Sequence, residues 1–201
     1  EVAHLYPQAS VPVQLQLLEN AALILGDPQQ LRQVIHNLVQ NAQDAAQSRY
    51  EADLALRQSG ADAPASSSLP ILVPPLVQLI TQMGSSGERL RLVVRDNGAG
   101  FPEHILRRAF EPYVTTKTKG TGLGLAVVKK IADEHGARID ISNIASSAAE
   151  AETDGLGASP DGKKAEKAAQ WPALAEFAVG AQVTLSLPLA PLLARGGIIA
   201  G

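Results

Sequence analysis

The chain has 201 residues, of which 45% are hydrophobic and 18% are charged, and its formal net charge is -3. This length and composition predict one globular domain with enough apolar residues to bury a core. The mild acidity argues against nucleic acid as the main partner, because nucleic-acid binding usually requires a basic face. The chain contains no cysteine, which excludes disulfides and thiolate metal sites.

The sequence shows neither a signal-peptide pattern nor an apolar run of the roughly 20 residues that a membrane helix needs. Its most apolar stretch, 69–80, is interrupted by prolines. Because the first residue is Glu1 rather than Met, we expect an excised domain of a longer protein. We expect this domain to be cytoplasmic, and its parent can still be anchored in a membrane.

The first predicted elements are two short strands and a helix. Residues 13–17 alternate apolar and polar side chains, which predicts an edge strand with 21–25 as its partner. Asp27 is a good N-cap and Pro28 suits the first helical position. Apolar residues recur after them at helical spacing, so we predict a helix from 28 to about 48.

Three polar residues of this helix, Asn37, Asn41 and Asp44, lie at the margin of its apolar face. Their spacing, i, i+4 and i+7, forms one column. Asparagine is a mediocre helix former, so two of them in this column require an explanation. They are either solvated surface amides or oxygen ligands of a magnesium ion, which takes few protein ligands beside water and phosphate oxygens.

Residues 49–88 are predicted to form an inserted loop. Within it, 61–68 is of low complexity, 77–83 is predicted to be a short helix, and 84–87 is a turn. The next strand is predicted at 90–95.

A carboxylate and two glycines follow this strand: Asp96, Gly98 and Gly100. An ionised carboxylate accepts a hydrogen bond from the exocyclic amine of adenine, and glycines let the backbone approach the ring closely. A plain Asp-Asn-Gly turn would contain the same residues. The pattern therefore indicates an adenine site only if other parts of a pocket converge on it.

A polar stretch without helical period covers 110–119, after a short helix predicted at 102–109. Its threonines and lysines are typical of a lid over an anion. Residues 120–124 then lead into a second strong helix, predicted over 122–135, and the exposed amides at a helix start bind anions. The alternative is a glycine hinge. The candidate ligands of the two segments are Phe110, Thr116, Lys117, Lys119, Gly120, Thr121, Gly122, Leu123, Gly124 and Leu125.

Two further strands are predicted, at 138–142 and 181–187, with a second inserted loop at 145–175 between them. The domain is therefore expected to span 1–188, with 189–201 as a C-terminal tail. Two rival phosphate motifs fail on context. No strand precedes 120–124, as a dinucleotide fingerprint requires, and Lys164 stands where a P-loop needs Ser or Thr.

Taken together, these segments resemble the ATP-binding catalytic (HATPase) domain of bacterial sensor histidine kinases, within the gyrase, Hsp90, kinase and MutL ATPase superfamily. Residues 36–42 resemble its N box, 96–101 its G1 box, 110–113 its F box and 120–126 its G2 box, in the family's order. The amino-acid sequences of the last two boxes resemble those of the nitrogen-regulation sensor kinases of the NtrY type.

The resemblance implies an α/β (α+β) two-layer sandwich of the Bergerat (GHKL) type, in which three helices cover one face of a mixed sheet. It implies ATP and Mg²⁺ as cofactors, with Asn41 as the main metal ligand and Asn37 nearby. Asp96 would bind adenine, and Gly98, Gly100 and the glycines of 120–124 would line the nucleotide.

One departure concerns position 44, where many family members carry a basic residue and this chain has Asp44. The charge of the phosphates must then be met from elsewhere, and Lys117 and Lys119 are the candidates. Asp44 is retained among the residues expected near the nucleotide.

The implied function is phosphoryl transfer from Mg-ATP to a histidine on a separate dimerisation domain of the same parent, in a two-component system with a response regulator. The parent is expected to be a homodimer. None of His4, His36, His104 and His135 has the context of an acceptor. Two alternatives remain open: a gyrase- or MutL-like ATPase, disfavoured because Asn37 stands where those enzymes place a general base, and a nucleotide-sensing module without transfer.

Overall fold

The computed structural model describes residues 11–20, 22–59, 71–115, 117, 120–144 and 179–191. These residues form one mixed five-stranded sheet and three helices, as expected. The strands are β1 (Val13–Gln16), β2 (Val77–Met83), β3 (Arg89–Asp96), β4 (Arg138–Ile144) and β5 (Gly180–Pro188). The helices are α1 (Pro28–Ser59), α2 (Glu103–Leu106) and α3 (Gly124–Glu134).

The strand order across the sheet is β1-β2-β3-β5-β4. β1 is the predicted edge strand, but its partner is β2, which it pairs in parallel with Val13 opposite Val77. The prediction that residues 21–25 pair with β1 is wrong. Ile24 instead forms an isolated bridge with Leu189 at the far end of the chain. The remaining pairs, β2 with β3, β3 with β5 and β4 with β5, are antiparallel.

Helix α1 begins as its sequence predicts. The Oδ1 atom of Asp27 accepts hydrogen bonds from the backbone N–H groups of Gln29 at 2.7 Å and Gln30 at 3.1 Å. This cap satisfies two of the amides that a helix start leaves without intrahelical partners. The predicted end near residue 48 is wrong, because the helix continues to Ser59.

The inserted loop predicted over 49–88 contains two elements of the fold. Residues 49–59 belong to α1 and residues 77–83 form β2, between β1 and β3, so the predicted short helix at 77–83 is wrong. The predicted turn at 84–87 is confirmed by the hydrogen bond from Gly87 N–H to Gly84 O, at 2.9 Å. The low-complexity stretch 61–68 and the loop predicted at 145–175 lie outside the described residues.

One face of the sheet packs against α1 and α3 and forms the core. Alternate residues of a strand share a face, and the core-facing set of β3 contains Leu92 and Val94. These residues pack with Val34 and Leu38 of α1 and with Val128 of α3. Asp96, two residues beyond Val94, has the same parity and ends β3 on the helix side of the sheet.

Helix α3 ends at the predicted glycine. Gly136 has φ +59, and the N–H of Ala137 donates to the carbonyl of Ala132 at 2.8 Å, as in a helix that closes through a left-handed residue. Within the described part of the chain, no helix is long and apolar enough to cross a membrane.

Candidate nucleotide site

A cavity of about 290 Å³ lies between α1, the end of β3 and the segment that precedes α3. It brings together the three segments that the sequence singled out, although they are far apart along the chain. The predicted site residues that line it are Asn41, Asp44, Asp96, Gly100, Lys117, Gly120, Thr121, Gly122, Gly124 and Leu125.

Four predicted residues of the described part of the chain do not line the cavity. The Nδ2 atom of Asn37 is 3.5 Å from the carbonyl oxygen of Gly124, so Asn37 contacts the start of α3. Gly98 lies in the turn after β3, Phe110 in the turn after α2, and Leu123 is the exposed N-cap of α3. Thr116 and Lys119 lie outside the described residues.

The carboxylate of Asp96 is the buried polar group at one end of the cavity. The residue is only 6% exposed, and its Oδ1 atom accepts a hydrogen bond from the N–H of Gly98 at 2.9 Å. Burial raises the pKa of Asp96 from 3.8 to about 6, because it removes water from the ionised form. Hydrogen bonds from the backbone of Gly98 and Ala181 and the charge of Lys117 act in the opposite direction.

The turn after Asp96 packs directly against α1. A Cβ atom on Gly98 would lie 2.8 Å from the carbonyl carbon of Ala45, and Gly100 adopts φ +77. The side chain of Asn97 fixes the same turn to the segment before β2. Its Oδ1 atom accepts from Leu76 N–H at 2.9 Å, and its Nδ2 atom donates to Pro74 O at 2.8 Å.

Arg49 is a residue of this site that the sequence analysis did not identify. Its Nη1 atom donates to the carbonyl oxygen of Asn97 at 2.9 Å and lies 3.4 Å from that of Gly98. Asp53, one turn further along α1, pairs with the guanidinium at 3.6 Å. Through Arg49, the second half of α1 thereby holds the turn that follows Asp96. Residues earlier in the same helix, such as Asn41, line the cavity.

The ammonium group of Lys117 lies in the same cavity, against α1. The Nζ atom of Lys117 is 2.7 Å from Asp44 Oδ2 and 3.1 Å from Asn41 Oδ1. The amide oxygen of Asn41 therefore accepts from an ammonium group inside the cavity, at a position where a metal ion would find the same negative partial charge. Among the described residues, no group of three or more His, Cys, Asp or Glu side chains could hold a metal ion.

A backbone hydrogen bond joins the segment before α3 to the turn that contains Tyr113. The N–H of Tyr113 donates to the carbonyl of Gly122 at 3.0 Å, and both residues have positive φ, +67 and +68. A Cβ atom on Gly122 would lie 2.5 Å from the carbonyl carbon of Tyr113. The two loop segments can therefore approach this closely only if residue 122 is glycine. Leu123, the N-cap of α3, makes no side-chain cap, which leaves the amides of the first turn available to an anion.

Apolar side chains form the rest of the wall, and the sequence analysis did not identify them either. Val94 and Val183 extend from the sheet, and Ile105 and Ala109 come from α2 and the turn after it. A cavity with apolar walls, one carboxylate at one end and a cation with helix-start amides at the other is suited to a base joined to phosphates.

The fold and this cavity define a domain of the ATP-binding α/β sandwich type. The family model described as "Histidine kinase-, DNA gyrase B-, and HSP90-like ATPase" matches residues 26–191. The chain belongs to this family.

The curated relatives include nitrogen-regulation sensor kinases. Nitrogen regulation protein NtrY of Azorhizobium caulinodans is 53% identical over 57 residues, 28% of this chain and 7% of that protein. The NtrY-like sensor histidine kinase of Rickettsia bellii is 32% identical over 117 residues, 58% of this chain and 15% of that protein. Sensory histidine kinase/phosphatase NtrB of Rhizobium leguminosarum bv. phaseoli is 36% identical over 115 residues, 55% of this chain and 26% of that protein. The chain thus spans only a small part of the relatives it matches.

Solved structures of histidine kinases share the fold. The mycobacterial sensor histidine kinase MprB aligns with a TM-score of 0.56 at 16% identity, over 94% of this chain and 90% of that one. The catalytic domain of histidine kinase ThkA aligns with a TM-score of 0.55 at 21% identity, over 94% and 90% of the two chains. Full-length ShkA in complex with AMPPNP gives 0.55 at 21% identity, over 94% of this chain and 28% of that one.

Because Asp96 is buried, ionisation of its carboxyl lowers the free energy of unfolding, and an amide at this position would not have this effect. In the folded protein the carboxyl keeps its proton up to about pH 6, and in the unfolded chain only below about 3.8, so the folded state binds more protons between these values. Stability from this group is therefore fully present below pH 3.8 and is lost as the pH rises through 6. The shift corresponds to about 3 kcal/mol as an upper bound.

We therefore expect Asp96→Asn to raise the free energy of unfolding near pH 7 by about 1–3 kcal/mol, because the amide oxygen can still accept from Gly98 N–H. Chemical denaturation near pH 7 and pH 4 measures it, and the gain should shrink at the lower pH. Asp140→Asn, at an exposed position of β4, is the control. A variant less stable than the wild type near pH 7 would contradict the burial cost.

Proposed function

We propose that this chain binds Mg-ATP and donates the γ-phosphate to a histidine on a separate dimerisation domain of the same parent protein. The observation that carries the proposal is the convergence of Asp96, Asn41 and Lys117 on one cavity. These residues supply an acceptor for adenine, an amide oxygen for a metal ion and a cation for phosphate. The family membership and the kinase relatives support the same reading.

The adenine would lie at the end of the cavity that holds Asp96. Its exocyclic amine donates to the carboxylate, a charge-assisted bond worth about 1.5–3 kcal/mol. Val94, Val183 and Ile105 supply apolar surface for the faces of the ring. The side chains of Asn97 and Arg49 keep the turn after Asp96 in place for this contact.

The phosphates would lie toward Lys117 and the start of α3. The backbone amides of the helix start and the ammonium group stabilise negative charge there. Thr116 and Lys119 belong to the same proposal on sequence grounds, as do the glycines of the segment. Gly122 and Gly124 line the cavity, so their backbone is the surface that phosphate oxygens would approach.

The residues present fit a magnesium ion. Asn41 would hold it, since its Oδ1 atom faces the cavity and already accepts from a cation. Asn37 contacts Gly124 at the start of α3 and would support the site from beside it. When bound, Mg²⁺ neutralises phosphate charge and orients the γ-phosphate. Every other contribution comes from positioning by the chain's own residues.

Phosphoryl transfer requires little covalent chemistry from the protein. The bond between the γ-phosphorus and the oxygen of ADP breaks, and a bond to an imidazole nitrogen of the acceptor forms. A pocket that holds the γ-phosphate in line with that nitrogen is sufficient. Asn37 cannot accept a proton from water, which disfavours hydrolysis as the main reaction.

The parent would be a nitrogen-regulation sensor kinase of the NtrY type, acting as a homodimer and passing its phosphoryl group to a response regulator. The similarity to NtrY and NtrB supports this proposal. We place the domain in the cytoplasm, where ATP and the response regulator are available, with a parent that can be anchored in the membrane.

Asn41→Ala should abolish the magnesium dependence of ATP binding, because the amide oxygen proposed as the metal ligand is removed. Calorimetric titration with ATP, with and without Mg²⁺, measures it. The matched control is Gln33→Ala, at an exposed position of α1. If the variant keeps the full magnesium dependence, the ion is held by other groups.

Transfer itself is tested in trans, with the histidine-bearing dimerisation domain of the parent and γ-labelled ATP. We expect alkali-stable, acid-labile label on the acceptor histidine, and labelling at least about tenfold slower at subsaturating ATP when this chain carries Asp96→Asn. Label released as inorganic phosphate would indicate an ATPase instead. Binding of ATP without either product would indicate a nucleotide-sensing module.

A further inference from the structure

Lys117 joins the segment that precedes α3 to helix α1 through one ion pair. Its Nζ atom is 2.7 Å from Asp44 Oδ2 and 3.1 Å from Asn41 Oδ1, across 73 residues of sequence for the first contact. The second carboxylate oxygen of Asp44, Oδ1, accepts from Gln40 Nε2 at 3.0 Å. Asp44 is thus held in place on α1 while it holds the ammonium over Asn41.

We infer that Asp44 is a positioning residue that keeps the ammonium of Lys117 on the amide oxygen of Asn41, so that the lysine and the metal ion compete for one ligand atom. The inference rests on the proposed function, since it assigns the metal to Asn41. When Mg-ATP binds, the magnesium ion would replace the ammonium of Lys117 at Asn41.

The exchange follows from electrostatics. An ammonium and a divalent ion at contact distance from one amide oxygen repel each other, which favours one cation at that atom at a time. We therefore expect Lys117 to leave Asn41 when the metal binds. It lines the same cavity as the segment before α3, so its charge becomes available to the phosphates once it is released.

Asp44 sets the cost of that release. In this structure Lys117 compensates the charge of Asp44, and after the exchange that charge would be left beside a polyphosphate. The chain thus carries an acidic residue where a basic one would favour phosphate directly. The consequence is a lower affinity for the nucleotide and a lid lysine that is freed only when nucleotide and metal bind.

The solvent exposure of the two paired side chains limits how much the ion pair can change the affinity for Mg-ATP. The side chains of Lys117 and Asp44 are 38% and 42% exposed, and ion pairs of this kind are weak and screened by salt. We therefore expect Asp44→Asn to lower the Kd for Mg-ATP by about two- to fivefold at low salt, and by less at about 0.5 M salt. Asp44→Glu should behave more like the wild type.

A double-mutant cycle tests the inference. Asp44→Asn, Lys117→Gln and the double variant are titrated by calorimetry with Mg-ATP and with Mg-ADP, which stays measurable if loss of Lys117 weakens ATP binding. The tighter binding that Asp44→Asn produces should disappear in the Lys117→Gln background. Glu51→Gln, which removes a carboxylate from an exposed position of α1, is the control and should leave both Kd values unchanged.

Each other outcome overturns the inference. Weaker binding of Mg-ATP by Asp44→Asn would make Asp44 a metal ligand, and an equal gain in both backgrounds would mean that its charge acts on the phosphates directly. An unchanged Kd at low salt would mean that the ion pair does not control release. Failure of the site assignment on which the inference rests is distinct, because the wild-type chain would then not bind Mg-ATP, or would bind ATP without magnesium dependence. Failure of phosphoryl transfer alone appears only in the assay in trans and leaves these Kd values unaffected.

Discussion

The carboxylate of Asp96 is buried at the end of β3, and the remainder of the site is arranged around that charge. A buried carboxylate loses hydration, which raises its pKa to about 6, and only two backbone N–H groups and a distant ammonium counter this loss. A protein that needed only a turn here would be more stable with an amide. The retained carboxylate is understandable if its unused acceptor capacity serves a ligand, and the proposed ligand is the exocyclic amine of adenine.

Helix α1 connects the two ends of the cavity. Its middle part carries Asn41 and Asp44 at the cation end, and Arg49, about two turns later, holds the backbone of the turn that follows Asp96. A rigid helix fixes the distance between these groups, so the separation between the adenine end and the metal end is set by one element. Among the described residues, the ion pair of Lys117 with Asp44 joins the segment before α3 to the same helix, and Asn37 contacts the start of α3 beside it.

The sequence predicted those features that depend on local chemistry. Asp27 caps α1, Gly136 ends α3, and the motif residues converge as the family resemblance implied. The errors have a common cause. Residues 77–83 fit strand or helix about equally, and only pairing on both sides makes them β2. Likewise, the end of α1 carries no strong stop signal, and the contacts of Arg49 join residues 48 positions apart, which no local pattern contains.

The proposed site requires the Asp96 carboxylate to be ionised when it accepts a hydrogen bond from adenine. Carbon-13 NMR of this carboxyl, titrated with pH in the free chain and in the chain saturated with Mg-ATP, measures it directly. We expect an apparent pKa of about 6 in the free chain. It should fall clearly with nucleotide bound, because the donor stabilises the charged form. An unchanged or higher value in the complex would contradict the account.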